Sequence, residues 1–217
     1  MHHHIMLKDR QTGKNVFMVE EDTDDTDDEK KDDDNDRNSA DNRRLSPICK
    51  YGIAGLLKYA DDITAAFASS QETFDRLKPG FEAPIYKSWG YSNRSALVRV
   101  PKSSKETTRF EYRGGDLSGS VHIFGALLLN AVLKGIEQKL ELPPCADYNV
   151  ETLSQNELDQ KNLYPVPLDF NQCIKVLQTS TFLKETLGPN MVQYLIQRDI
   201  ELLKKEQAIH AAQRKSS

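Results

Sequence analysis

The sequence predicts an α+β fold, in which an antiparallel β-sheet is backed by helices and the C-terminal region is helical. Two patterns carry this. Arg109-Phe110-Glu111-Tyr112-Arg113 alternates charge with aromatic bulk at the period of a strand, and Phe124, Leu127, Leu128, Ala131, Val132 and Ile136 recur at the spacing of one helix face. A length of 217 residues is enough for about one domain.

Met1-His2-His3-His4 opens the chain. Taken alone, it invites the reading of a clipped affinity tag, to be left out of fold reasoning, as readily as that of native sequence. A strand is predicted to end near Met18. Beyond it, residues 20–36 hold twelve acidic side chains against Lys30 and Lys31; this run carries −10 and leaves +6 for the rest of a chain of net charge −4. With almost no apolar residues, it predicts a disordered insert over 20–41. Asp22-Thr23-Asp24 starts like a calcium loop, but the sixth position is not glycine and the twelfth is aspartate.

Ser46-Pro47 predicts a helix start, with Ile48, Ile53, Leu56, Leu57, Ala60 and Ile63 packed behind the sheet. Pro79-Gly80 predicts a turn that leads to Glu82. Leu97, Val98 and Val100 predict a buried strand ended by Pro101, and Arg99 within it needs a partner, either Glu111 across a strand pair or a ligand anion. The helix over 124–136 is expected to be terminated by Pro143-Pro144. Residues 142–168 predict a surface loop with a short helix near Gln155–Gln160. Helices are predicted over 170–178 and 181–187, and then along Val192, Leu195, Ile196, Ile200 and Leu203.

These segments place Arg94, Arg99, Arg109 and Arg113 with Glu82 and Glu111 on short strands and their connecting loops. Arginine recognises phosphate and carboxylate bidentately, and a carboxylate between arginines can hold a hard divalent cation beside a phosphate. The competing reading is a solvated strand face of self-neutralising ion pairs, which contributes little.

In order and spacing, residues 77–84, 93–101 and 109–113 resemble the C-terminal half of a class I glutamine synthetase catalytic domain, together with Ala54 to Ala60, Gly135 to Lys139 and the final helical stretch. The resemblance divides the chain into residues 1–19 and 42–206 as that half-domain, 20–41 as an acidic insert and 207–217 as a polar tail. It implies ATP-dependent phosphorylation of the glutamate side chain, then attack of ammonia on γ-glutamyl phosphate, with Mg2+ or Mn2+ as cofactor and ATP as co-substrate. It also implies roles for named residues. His2 and Glu111 are expected as metal ligands, and His4, Arg76 and Arg113 as glutamate contacts. Arg99 and Arg109 are expected on the ATP phosphates, and Arg94 on the transferring phosphoryl group. Glu82 is expected on a flap that shields the intermediate and helps deprotonate ammonium. The family's Met-His-x-His strand matches Met1 to His4, which favours a native strand over a tag.

The chain departs from the family pattern at Ile5-Met6, where the family has Gln-Ser, and at Glu72 to Asp75. After the Arg-x-Glu-x-Arg patch it keeps Asp116 and Ser118 but not the family's Asn-Pro-Tyr. These changes are compatible with a ligase that joins glutamate to another amine, or with a non-catalytic homologue. A full family member also carries a small N-terminal β-domain and the first half of the catalytic domain, and its active site lies between neighbouring subunits. The expectation is therefore a part of a longer homo-oligomeric protein, and a 217-residue chain that makes no glutamine alone.

No run approaches the ~18 apolar residues that span a bilayer, and no interleaving of basic and aromatic residues points to nucleic acid. Cys49, Cys145 and Cys173 are odd in number and scattered, which speaks against disulfide or zinc frameworks and for a reduced, cytoplasmic setting. Asn93-Arg94-Ser95 fits a glycosylation sequon but falls within the phosphate motif. His122 and His210 lack sequence partners and are read as structural or exposed.

Overall fold

The computed structural model describes residues 2–19, 45–78, 83–115 and 119–216. The acidic insert, Glu82 with its turn, and Asp116 and Ser118 lie outside the described residues.

Among the described residues, four three-residue strands form one sheet: β1 (His3–Ile5), β2 (Trp89–Tyr91), β3 (Val98–Val100) and β4 (Phe110–Tyr112), in the order β1-β4-β3-β2. β4 runs antiparallel to both β1 and β3, as expected. β2 departs from the expectation and runs parallel to β3. A direct return over residues 92–97 suffices because each strand is only about 10 Å long, and Ser92, at φ 49°, begins the bend. Side-chain alternation makes one face apolar. Val98, Val100, Phe110 and Tyr112 are buried there, and His3 packs its ring 4.2 Å from that of Phe124.

Helices cover that face. α1 (Pro47–Lys58) starts where Ser46-Pro47 predicts, with Ser46 Oγ accepting from Cys49 N. The single helix expected through Ile63 is instead broken at Tyr59, and α2 (Ala60–Phe67) follows. The break lets α1 lie along the next long helix, α4 (Val121–Glu137), while α2 also meets α6 (Phe170–Thr179). Ile48, expected in the stripe, is exposed. α1 and α4 touch backbone to backbone, since a β-carbon at Gly55 would collide with the Ala131 carbonyl and one at Gly135 with the Tyr51 carbonyl. α4 ends well before Pro143-Pro144. Lys139 takes φ 49° and Leu140 N donates to the Gly135 carbonyl, a left-handed stop that does without the usual glycine.

α3 (Gln71–Arg76) follows α2 and sets Phe74 edge-on against Phe170 of α6, and α5 (Gln155–Gln160) matches its predicted span, held by a capping box of Ser154 and Glu157. α7 (Thr181–Leu187) also matches its span. α8 (Pro189–Ser216) continues through the polar tail. The strand expected to end near Met18 is not formed. A turn over residues 9–14 is closed by Asp9 accepting from Thr12 N, and isolated bridges join Lys8 to Asn15 and Met18 to Leu45. Residues 142–168 are more than a surface loop, because Ala146, Val150 and Leu158 bury a small core of their own. Their apolar positions are single and aperiodic, so no sequence pattern announces them.

Candidate functional site

The other face of the sheet carries the charges. Alternation along β4 and its continuation puts Glu111 and Arg113 on that face, and the register sets Arg99 of β3 opposite Glu111 on one side and His4 of β1 on the other. Glu111 is 2% exposed. Its Oε2 accepts from Arg99 Nη1 at 3.0 Å, and its Oε1 accepts from Arg113 Nη1 at 3.1 Å and lies 2.7 Å from His2 Nδ1. Arg99 has thus taken the cross-strand partner, one of the two that its position in an apolar strand allowed.

Burial by itself pushes the Glu111 carboxyl up, but the hydrogen bond from Arg99 and the charge of Arg113 outweigh it and hold the group below the usual carboxylate range. Burial and the Arg113 charge push the His2 imidazole down against the pull of Glu111, so the ring stays neutral at pH 7. Among the described residues, Arg99 Nε and Arg113 Nε are buried without a hydrogen-bond partner. The described protein groups therefore do not saturate this pair of guanidiniums.

A cleft of 790 Å³ opens over this cluster. His2, Arg99, Glu111 and Arg113 line it, joined by Arg94 from the exposed turn between β2 and β3. Its lining also takes Asp147, Tyr148, Asn149 and Glu151 from the segment before α5. The sequence did not single these out. One signal was available: a β-carbon at Gly90 of β2 would collide with the Ala146 carbonyl, so that glycine marks where the segment comes close.

Three of the expected residues stand apart from this lining. Arg109 Nε donates to His4 Nδ1 at 3.2 Å and Arg109 Nη1 to the Thr107 carbonyl, so these two residues form a separate pair on the sheet. Arg76 is half-buried at the end of α3. Asn93, which opens the Asn93-Arg94-Ser95 triplet, donates its amide nitrogen to the Ala146 and Tyr148 carbonyls.

For a divalent cation, His2 and Glu111 offer one imidazole and one carboxylate in contact, a donor chemistry that fits. Their number does not complete a site. Among the described residues no group of three or more His, Cys, Asp or Glu side chains gathers in a way that could hold a metal ion.

Residues 1–216 match the family described as the glutamine synthetase catalytic domain. The chain belongs to this family. Glutamine synthetase from Pyrococcus furiosus is 34% identical over 198 residues, which are 89% of this chain and 39% of that protein. Glutamine synthetase from Methanosarcina mazei is 33% identical over 168 residues, 77% of this chain and 38% of that protein. The chain therefore spans roughly two fifths of the length of these glutamine synthetases. A solved structure described as the GmaS/ADP complex in conformation 1 superposes with a TM-score of 0.72 at 19% identity, covering 95% of this chain and 43% of that one. At that identity the likeness speaks for the fold, a glutamine-synthetase-like α+β catalytic domain with a helical C-terminal region. Among the described residues no helix is long and apolar enough to cross a membrane.

Proposed function

We propose that this chain forms part of an ATP-dependent glutamate–ammonia ligase, which makes glutamine through γ-glutamyl phosphate. The observation that carries the reading is Glu111, ionised and buried between Arg99 and Arg113, with His2 against the same carboxylate at the cleft. Phosphoryl transfer depends on positioning and on neutralising oxygen charge, and guanidiniums fixed by a buried carboxylate supply both without rearranging.

In this reading Arg94 and Arg99 face phosphoryl oxygens, and Arg113 faces the glutamate side. His2 and Glu111 hold Mg2+ or Mn2+, which when bound offsets phosphate charge; further donors complete its coordination. Arg109 reaches the ATP phosphates, while His4 and Arg76 contact glutamate. The hydrogen bond between Arg109 and His4 then couples the nucleotide side to the substrate side. Glu82 serves as the flap residue that takes a proton from ammonium. A homo-oligomer whose neighbouring subunits complete each site belongs to the same proposal.

The test is made on a full-length protein carrying this segment. Glu111→Ala is expected to lower metal-dependent glutamine formation by about a hundredfold or more, the scale of removing a group that organises transition-state charge. Unchanged turnover in that variant would sink the reading. Turnover with another amine in place of ammonia would redirect it to a γ-glutamyl-amine ligase.

A further inference from the structure

One side chain reaches both sides of the cleft. Asn93 lies in the turn between β2 and β3, and its Oδ1 accepts from Ser95 N at 2.9 Å and from Ser95 Oγ at 2.7 Å. These bonds close a tight local turn with Arg94 at its apex. The Asn93 Nδ2 points the other way, donating to the Ala146 carbonyl at 2.7 Å and to the Tyr148 carbonyl at 2.9 Å. Ser95 Oγ adds a further tie, accepting from Val150 N at 2.9 Å. The amide thus spends both donors and both acceptor positions on holding two segments together.

The surroundings are shaped for this contact. Gly90 has no β-carbon to strike the Ala146 carbonyl, Ala146 N donates to the Trp89 carbonyl at 2.8 Å, and Trp89 Nε1 donates to the Pro143 carbonyl at 2.8 Å. The segment that brings Asp147 and Glu151 into the cleft is therefore fastened to β2 and to the Arg94 turn. Arg94 itself is exposed, so its guanidinium is placed mainly by the backbone of that turn.

We propose that Asn93 is a positioning residue of the cleft, acting through Arg94. It fixes the gap between the arginine side and the facing acidic segment, and so sets how tightly the cleft takes a phosphoanhydride. The proposal rests on the reading of this cleft as a phosphate site. Losing the amide frees the turn and leaves the Ala146 and Tyr148 carbonyls to find water, which moves the two sides independently.

The experiment uses a full-length protein carrying this segment, with two readouts. In Asn93→Ala, hydrogen exchange at the Val150 amide is expected to speed up about tenfold or more, while the Val98 and Arg113 amides of the sheet keep their protection. Inorganic pyrophosphate, titrated by calorimetry, is expected to bind about tenfold more weakly to Asn93→Ala and to Arg94→Ala, with no further loss in the double variant. Ser95→Ala, a milder change, is expected to loosen Val150 with a smaller loss of affinity. Unchanged Val150 exchange, or losses that multiply in the double variant, would overturn the positioning role. Failure of the parent full-length protein to bind pyrophosphate, with the exchange result intact, would instead overturn the phosphate-site reading and leave Asn93 as a structural tie.

Discussion

Glu111, at 2% exposure, is shared by Arg99, Arg113 and His2, so removing its charge leaves two guanidiniums without their counter-ion. Glu111→Gln is expected to cost about 3 kcal/mol of stability, read from urea denaturation, because breaking a buried pair costs more than the pair contributes. Its depressed carboxyl adds stability above the ordinary glutamate range, and that stability is lost as pH falls through the folded value. Asp199 on α8 acts in the opposite sense. It is fully buried and, among the described residues, its Oδ2 has no hydrogen-bond partner, so burial pushes its carboxyl up to about 6 despite the ion pair with Arg198. Between about pH 4 and 6 the folded chain holds a proton that the unfolded chain has released, so stability falls as pH rises across that window. The shift corresponds to about 3 kcal/mol, and Asp199→Asn is expected to flatten that part of the stability–pH curve. Identical slopes for parent and variant would refute this. The apolar stripe of α8 was legible in the sequence; the aspartate inside it was not, because period alone does not say which turn of a helix is deepest.

At the scale of elements, glycines decide how closely α1 and α4 approach. An alanine at Gly55 gains about 1 kcal/mol of helix propensity but places its methyl against the Ala131 carbonyl, and backbone cannot yield as a side-chain tip does. Gly55→Ala is therefore expected to destabilise by about 2 kcal/mol net, seen as a lower denaturation midpoint. Gly125, also in α4, has nothing within 4 Å of such a methyl, so Gly125→Ala is expected to stabilise by up to about 1 kcal/mol. Equal effects at both sites would show that propensity, not the crossing, governs. The spans of α5 and α7 were readable because their starts carry local chemistry, Ser154 with Glu157 and Ser180 accepting from Leu183 N. The break at Tyr59 and the stop at Lys139 carry no proline or glycine, so the sequence offered a longer α1 and a later end for α4.

For the molecule as a whole, His2 and Glu111 supply two metal donors where a divalent cation takes four or more. The purified 217-residue chain is accordingly expected to form no glutamine from glutamate, ammonia and ATP with Mg2+ or Mn2+. Detectable product in a glutamine assay would show the site to be sufficient as it stands. The arrangement of the cleft follows from distant parts of the chain meeting: β1 at the start, β3 and β4 in the middle, and the segment before α5 facing them.

Alternation alone determined which side chains share the charged face of the sheet, since a strand has only two faces, and motif spacing determined the family. Local caps determined where several helices begin. Tertiary structure decided what those charges do to one another: that Glu111 sits between Arg99 and Arg113, that Arg109 turns to His4, and that Asn93 ties the Arg94 turn to residues 146–150. Period is a property of neighbouring residues in the chain, whereas pairing depends on which strand lies beside which and on loops whose apolar residues follow no period.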